Sequence, residues 1–237
     1  MPAGFQVYSL NGNVLMATSD YSNMAYQRTV RLLSRDFAYI HNIDVVGEYP
    51  VIVLKQSYRP GGGSFRVAEV NRQKINATTW RIGLCTEWYP ANAAWADIMI
   101  FGSAADMSIN QNAGVQVFKA DGKLAFSDRL PYLRVHSTHQ VPDYGKGAHG
   151  FTVPPNCGIM VTTTSRMGKR GIAGRGGEPG EVFALSEGIS LLAGGQGSIA
   201  MQSIGVTNEM STSNWESVYG GGPPMLVFVD LSKLVYS

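Results

Sequence analysis

The sequence predicts an all-β chain made of two tandem, internally duplicated β-sandwich domains, Greek-key or jelly-roll-like in connectivity. Three observations carry that expectation. A segment recurs 110 residues downstream, short runs of strand character are punctuated by turn residues throughout, and helical periodicity is almost missing. The recurring segment runs from Gly4-Phe5-Gln6-Val7-Tyr8 through Asn11-Gly12 to Val14. It returns as Gly114-Val115-Gln116-Val117-Phe118 through Asp121-Gly122 to Leu124.

Each copy opens as a hairpin, because Asn-Gly and Asp-Gly tolerate the positive φ values of a type I′ turn. The closing segments also match, Ala96-Asp97-Ile98-Met99-Ile100-Phe101 with Pro224-Met225-Leu226-Val227-Phe228-Val229, and both are apolar enough to be buried on two faces. Between them, Val51-Ile52-Val53 parallels Ile159-Met160-Val161. In the first copy strands are expected over 4–9, 13–18, 26–33, 43–46, 51–57, 65–70, 78–86 and 96–101. In the second they are expected over 114–119, 123–127, 132–137, 149–153, 158–164, 181–185, 188–192, 198–205 and 225–230. Eight or nine short strands per half, broken by Gly, Pro, Asn and Asp, predict domains over 1–109 and 110–237. The offset grows from 110 at the opening to 128 at the close, so the second copy carries about 18 extra residues. Their expected place is a Gly-rich basic loop over 166–180, where glycines are too many and apolar residues too few for a packed element.

Composition narrows the class. Hydrophobic residues make up 44% and charged residues 15%, low against the roughly 25% of an ordinary soluble protein. The surface is therefore polar but largely uncharged, which suits β-rich extracellular or virion proteins and argues against disorder. Residues 1–110 hold 9 Lys+Arg against 8 Asp+Glu, so net charge points to no nucleic acid partner. No stretch approaches the roughly 18 apolar residues of a spanning helix, and no secretory signal opens the chain, so neither membrane insertion nor export is expected. Cys85 and Cys157 are read as free buried thiols made in a reducing cytoplasm.

No residues mark out a reaction centre. There is no Gly-x-Ser-x-Gly elbow, no nucleophile with a local base, and no Gly-Lys-Ser/Thr after the glycines of 166–180. His136 and His139 stand three apart and so on opposite faces of a strand, which argues against a shared metal. The expectation is a chain without enzyme activity, cofactor or metal. The candidate interaction residues are Trp88, Tyr89 and Trp95 in the first copy, and Trp215 and Tyr219 in the second. A ring in a loop can stack on a sugar, fill a neighbour's pocket, or cap the open end of a sandwich. Lys169, Arg170 and Arg175 join them, either as part of a solvated flexible loop or as a basic arm that orders against a partner, lipopolysaccharide or nucleic acid.

The opening Met1-Pro2-Ala3-Gly4-Phe5-Gln6-Val7-Tyr8 with Asn11-Gly12, and Gly114-Val115-Gln116-Val117-Phe118 with Asp121-Gly122, Phe126, Pro131 and Leu133, resemble poorly characterised tailed-bacteriophage proteins encoded near tail-tip and tail-fibre genes. The resemblance covers about 30 residues in each copy. It implies a structural component of a tail tip or fibre-attachment region, located in the virion tail and in the host cytoplasm during assembly. Its partners would be other phage tail proteins and further copies of itself, a trimer first, since three copies of a duplicated chain present six similar surfaces around one axis. The alternative is a receptor- or glycan-binding module displayed on the virion, with a cell-surface glycan as ligand.

Overall fold

The computed structural model describes residues 6–8, 15–18, 23–37, 39–47, 49–107, 115–119, 121–128, 130–143, 147–161, 166–174, 178–220 and 223–234. Over these the chain is all-β. In the first half the strands are β1 (Gln6–Tyr8), β2 (Leu15–Thr18), β3 (Met24–Leu33), β4 (Tyr39–Val46), β5 (Val51–Tyr58), β6 (Val67–Lys74), β7 (Thr79–Thr86) and β8 (Trp95–Ser103). In the second half they are β9 (Gln116–Phe118), β10 (Leu124–Ser127), β11 (Val135–Gln140), β12 (Ala148–Thr152), β13 (Cys157–Met160), β14 (Arg166–Gly171), β15 (Gly180–Leu191), β16 (Gln196–Ser211), β17 (Trp215–Gly220) and β18 (Met225–Asp230).

Two large antiparallel sheets form a sandwich, and both draw on both halves. One has the order β11-β18-β13-β5-β8-β3 and the other β12-β16-β15-β6-β7-β4, while the hairpins β1-β2 and β9-β10 stand apart. Read from either end the pairing repeats: β3-β8-β5 mirrors β11-β18-β13, and β4-β7-β6 mirrors β12-β16-β15. The halves meet where Leu54 of β5 pairs with Ile159 of β13, and where Val67 of β6 pairs with Ile189 of β15. The sheets are thus not divided at residue 110 as two separate sandwiches would require. The physical reason is edge closure. A half taken alone would leave unpaired the N–H and C=O groups at which the halves join, along Ile52 to Leu54 of β5 and at Val67 of β6.

Register repeats along with order. In β1-β2 the pairs Gln6/Thr18, Val7/Ala17 and Tyr8/Leu15 skip one residue of the return strand. In β9-β10 the pairs Gln116/Ser127, Val117/Phe126 and Phe118/Leu124 skip one at the same step. Leu15 therefore takes the place opposite Tyr8 that Leu124 takes opposite Phe118, one residue later than the alignment on Val14. Similarly Tyr26 and Arg28 pair with Phe101 and Ile100 around a bulge at Gln27, as Val135 and Ser137 pair with Val229 and Phe228 around His136. Gly4, Asn11-Gly12 and Gly114 lie outside the described residues. The Asp121-Gly122 turn is not type I′: Gly122 alone has positive φ (81°), and its N–H donates to the Lys119 carbonyl at 2.9 Å. That is the geometry of a longer hairpin loop closed by a glycine in the left-handed region, with Asp121 accepting from the Lys123 N–H instead.

One core spans both sheets and both halves. Leu32, Ile52, Leu54, Ile98, Ile100, Ile159 and Phe228 face Ile43, Val45, Val67, Ile82, Leu84, Phe151, Ile189 and Ile199 across the sandwich. At about 25 cal/mol per Å² of buried apolar surface, this contact is the main stabilising term. The far side of the six-stranded sheet is covered too, where Val53, Met99, Phe101 and Val229 pack under Leu231 and Leu234.

Candidate functional site

Strand direction decides where the loops go. The connections that follow β3, β5 and β7 all cross between the sheets at one end of the sandwich, because Leu33 and Tyr58 both pair with Trp95 while Tyr39 and Val67 both pair with Thr86. By the same repeat, the connections that follow β11, β13 and β16 gather at the end of the second half. Since β5 and β13 are antiparallel, the two loop ends lie at opposite poles. Trp88 and Tyr89 lie in the first, Trp95 opens the strand leaving it, and Lys169, Arg170, Trp215 and Tyr219 belong to the second.

At the first pole the backbone of 34–36 is tied to that of 88–94. Ser34 Oγ donates to the Pro90 carbonyl at 2.7 Å and accepts from the Ala94 N–H at 2.9 Å. The Asp36 carboxylate accepts from the Ala91 N–H at 2.9 Å, and the Trp88 indole N–H donates to the Asp36 carbonyl. Arginines interleave with rings here. Arg31 lies 4.1 Å over Trp95 and is held by a bidentate bond to Asp97, Tyr58 stacks on Trp95 at 5.8 Å, and Arg59 lies 4.4 Å over Tyr89. Arg35 lies 5.5 Å over Tyr39, whose ring meets Phe37 and His41 edge to face. Burial, reinforced by the Arg35 charge, pushes the His41 imidazole below its ordinary pKa.

The second pole is elaborated. β15 and β16, 12 and 16 residues long, run past their last pairs with β6 and β12 at Ile189 and Ala200. Beyond those points β15 is flanked by β14, and β14 by β17. The stretch expected as a flexible Gly-rich loop thus begins as the strand Arg166–Gly171. Its last glycine serves packing: a Cβ on Gly171 would lie 2.2 Å from Trp215 Nε1 and 2.5 Å from Ser211 Oγ, where the indole N–H donates to the hydroxyl at 2.7 Å. The basic side chains are matched by carboxylates, Lys169 with Glu209 and Arg170 with Glu216 at 2.7 Å, so they do not form an unbalanced basic arm. Arg175 lies outside the described residues. Tyr219 pairs through its backbone with Met167.

Pairing β14 with β17 brings together two candidate groups that stand apart in sequence. Arg170, Gly171, Ile172, Asn214, Trp215 and Glu216 line an open groove of about 560 Å³. Around it the extension exposes Met167, Ile172, Val206 and Met210, the last 70% exposed. Sequence reasoning missed these four, since no local pattern separates an exposed Val or Met from a core one.

The remaining candidates for chemistry are placed structurally. His139 stacks on Phe228 at 6.3 Å and His136 is exposed. Among the described residues no group of three His, Cys, Asp or Glu gathers as metal ligands, and no helix is long and apolar enough to cross a membrane. Both thiols are buried, and desolvation pushes Cys85 up to about 12. Compared with protein-family models, curated proteins and solved structures, the chain matches none.

Proposed function

We propose that the chain is a non-enzymatic structural component of a bacteriophage tail tip or fibre-attachment region, acting through subunit–subunit contacts within the virion. The observation that supports this most is the apolar exposure of the β14–β17 extension. Met167, Val206, Met210 and Trp215 lie on paired strands, with Ile172 directly after β14, so their backbone is already ordered for a subunit contact. The two halves, 1–109 and 110–237, are copies of one ancestral unit, and the repeated strand order and bulges support that reading. Antiparallel copies put their loop ends at opposite poles, a geometry suited to bridging two neighbours, which are other tail proteins and further copies of this chain, a trimer first.

The test combines mass measurement of the isolated protein with incorporation of a Val206→Glu, Met210→Glu variant into phage particles. Both positions are exposed, so the variant keeps its fold, checked by circular dichroism. Loss of the protein from purified particles supports the reading. Normal incorporation with normal adsorption, or absence of the unaltered protein from particles, overturns it.

A further inference from the structure

We propose that the pole of the first half carries a saccharide site, with Trp88 as the stacking platform and Arg35 as the anchor for the carboxylate of an acidic sugar. The rings at this pole differ in what already covers them. Trp95 has the Arg31 guanidinium over it and Tyr58 stacked against it, and Tyr89 carries Arg59. Tyr39 is engaged by Arg35, Phe37 and His41. Trp88 has no ring or cation partner among the described residues and is 62% exposed.

Its exposure is built in. The indole N–H is bonded to the Asp36 carbonyl, and the two backbones are locked by the bonds from Ala91 to the Asp36 carboxylate and from Asn92 N–H to the Ser34 carbonyl at 3.0 Å. A ring fixed along its polar edge turns its apolar face to water without the freedom to fold it away. Such a face matches the C–H face of a pyranose, and because the ring is already positioned, binding costs little ordering.

Charge on the backbone segment that holds Trp88 selects among sugars. Arg31 is bonded to Asp97 and Arg66 to Glu87, whereas Arg35 and Arg59 pair with no carboxylate among the described residues. Arg35 belongs to the segment that holds Trp88, since its carbonyl accepts the Tyr89 N–H at 3.3 Å. A planar guanidinium there suits the two oxygens of a sugar carboxylate. Arg35, Asp36, Arg59, Arg66 and Glu87 would have to be desolvated if a protein covered this pole, because an interface core is depleted of charge. A sugar leaves most of them in water.

The experiment is isothermal titration of the whole protein with tri-galacturonate, 3′-sialyllactose and, as the neutral control of similar size, maltotriose. The expected result is saturable binding of at least one acidic sugar in the millimolar range or tighter, with maltotriose weaker. Trp88→Ala should weaken it about tenfold or more, Arg35→Gln should erase the preference for acid over neutral sugar, and Trp215→Ala should change nothing. The exposed position of Trp88 makes unfolding an unneeded explanation, and Trp88→Phe, which keeps a ring, should recover part of the affinity. Absence of binding by both acidic sugars, or binding indifferent to Trp88→Ala and Arg35→Gln, overturns the site. This site is independent of the assembly role: particle incorporation can fail or succeed without altering these titrations.

Discussion

Glu69 has a side chain with no exposure to solvent, on the inner side of β6 opposite Leu84. Its charge is met by Arg72, which donates from Nε at 2.7 Å and from Nη2 at 2.9 Å. Residues three apart on a regular strand point to opposite faces, but the bulge between Glu69 and Asn71 inserts an extra residue and brings both to one face. Arg72→Met would leave a buried carboxylate without its partner and should cost about 3–5 kcal/mol, while the double change Glu69→Leu, Arg72→Met should recover most of it. Urea denaturation of the three proteins checks both. The bulge also explains why the sequence did not reveal this pair, since strand alternation read from residues assumes a period of two. His41 gives a second test. Its pKa is lowered in the folded state, so as pH falls below about 6.5 the unfolded chain takes up the proton first and stability is lost down to the folded pKa. Thermal denaturation at pH 7 and 5.5 should show a drop that His41→Gln reduces.

At the scale of elements, glycine is where sequence and structure part. Runs such as Arg166-Met167-Gly168-Lys169-Arg170-Gly171 read as loop because glycine has no preference of its own, yet here it is the residue that lets Trp215 lie against β14. β17, next to Gly220-Gly221-Gly222, also reads as loop, and β15 is split into two expected strands at Ser186-Glu187, a polar pair that lies buried within one continuous strand. Apolar, β-branched strands such as Val51–Tyr58 and Trp95–Ser103 were legible because burial on both faces leaves an unbroken apolar run. Gly171→Ala should therefore act locally. The added methyl displaces the indole and its bond to Ser211, at about 1–3 kcal/mol, and should raise hydrogen exchange in β14 and β17 while leaving β5 and β8 protected. Equal loss of protection in all four strands would mean that the extension and the sandwich open as one unit.

The candidate aromatic residues are divided between the halves in the sequence, but the placement of their segments at opposite poles rests on the antiparallel β5–β13 pair, where Leu54 meets Ile159, 105 residues on, with no local trace in the sequence. That seam also fixes how the molecule should come apart. Gly158 sits where a Cβ would be 2.7 Å from Val53 Cγ1 and 2.8 Å from the Leu54 carbonyl oxygen, so the two halves approach more closely than a side chain allows. Ile52 and Ile159, one from each half, are both fully buried in the same core. A half that unfolded alone would strip its partner of the seam pairs in each sheet and of part of the shared core, so the two halves should unfold together. Calorimetry should accordingly show one transition. Ile52→Ala and Ile159→Ala should each lower its midpoint, at about 2–5 kcal/mol, with the transition remaining single. If Ile159→Ala instead split off a second, lower transition while the first stayed in place, the halves would be separate cooperative units and the seam only a contact between them.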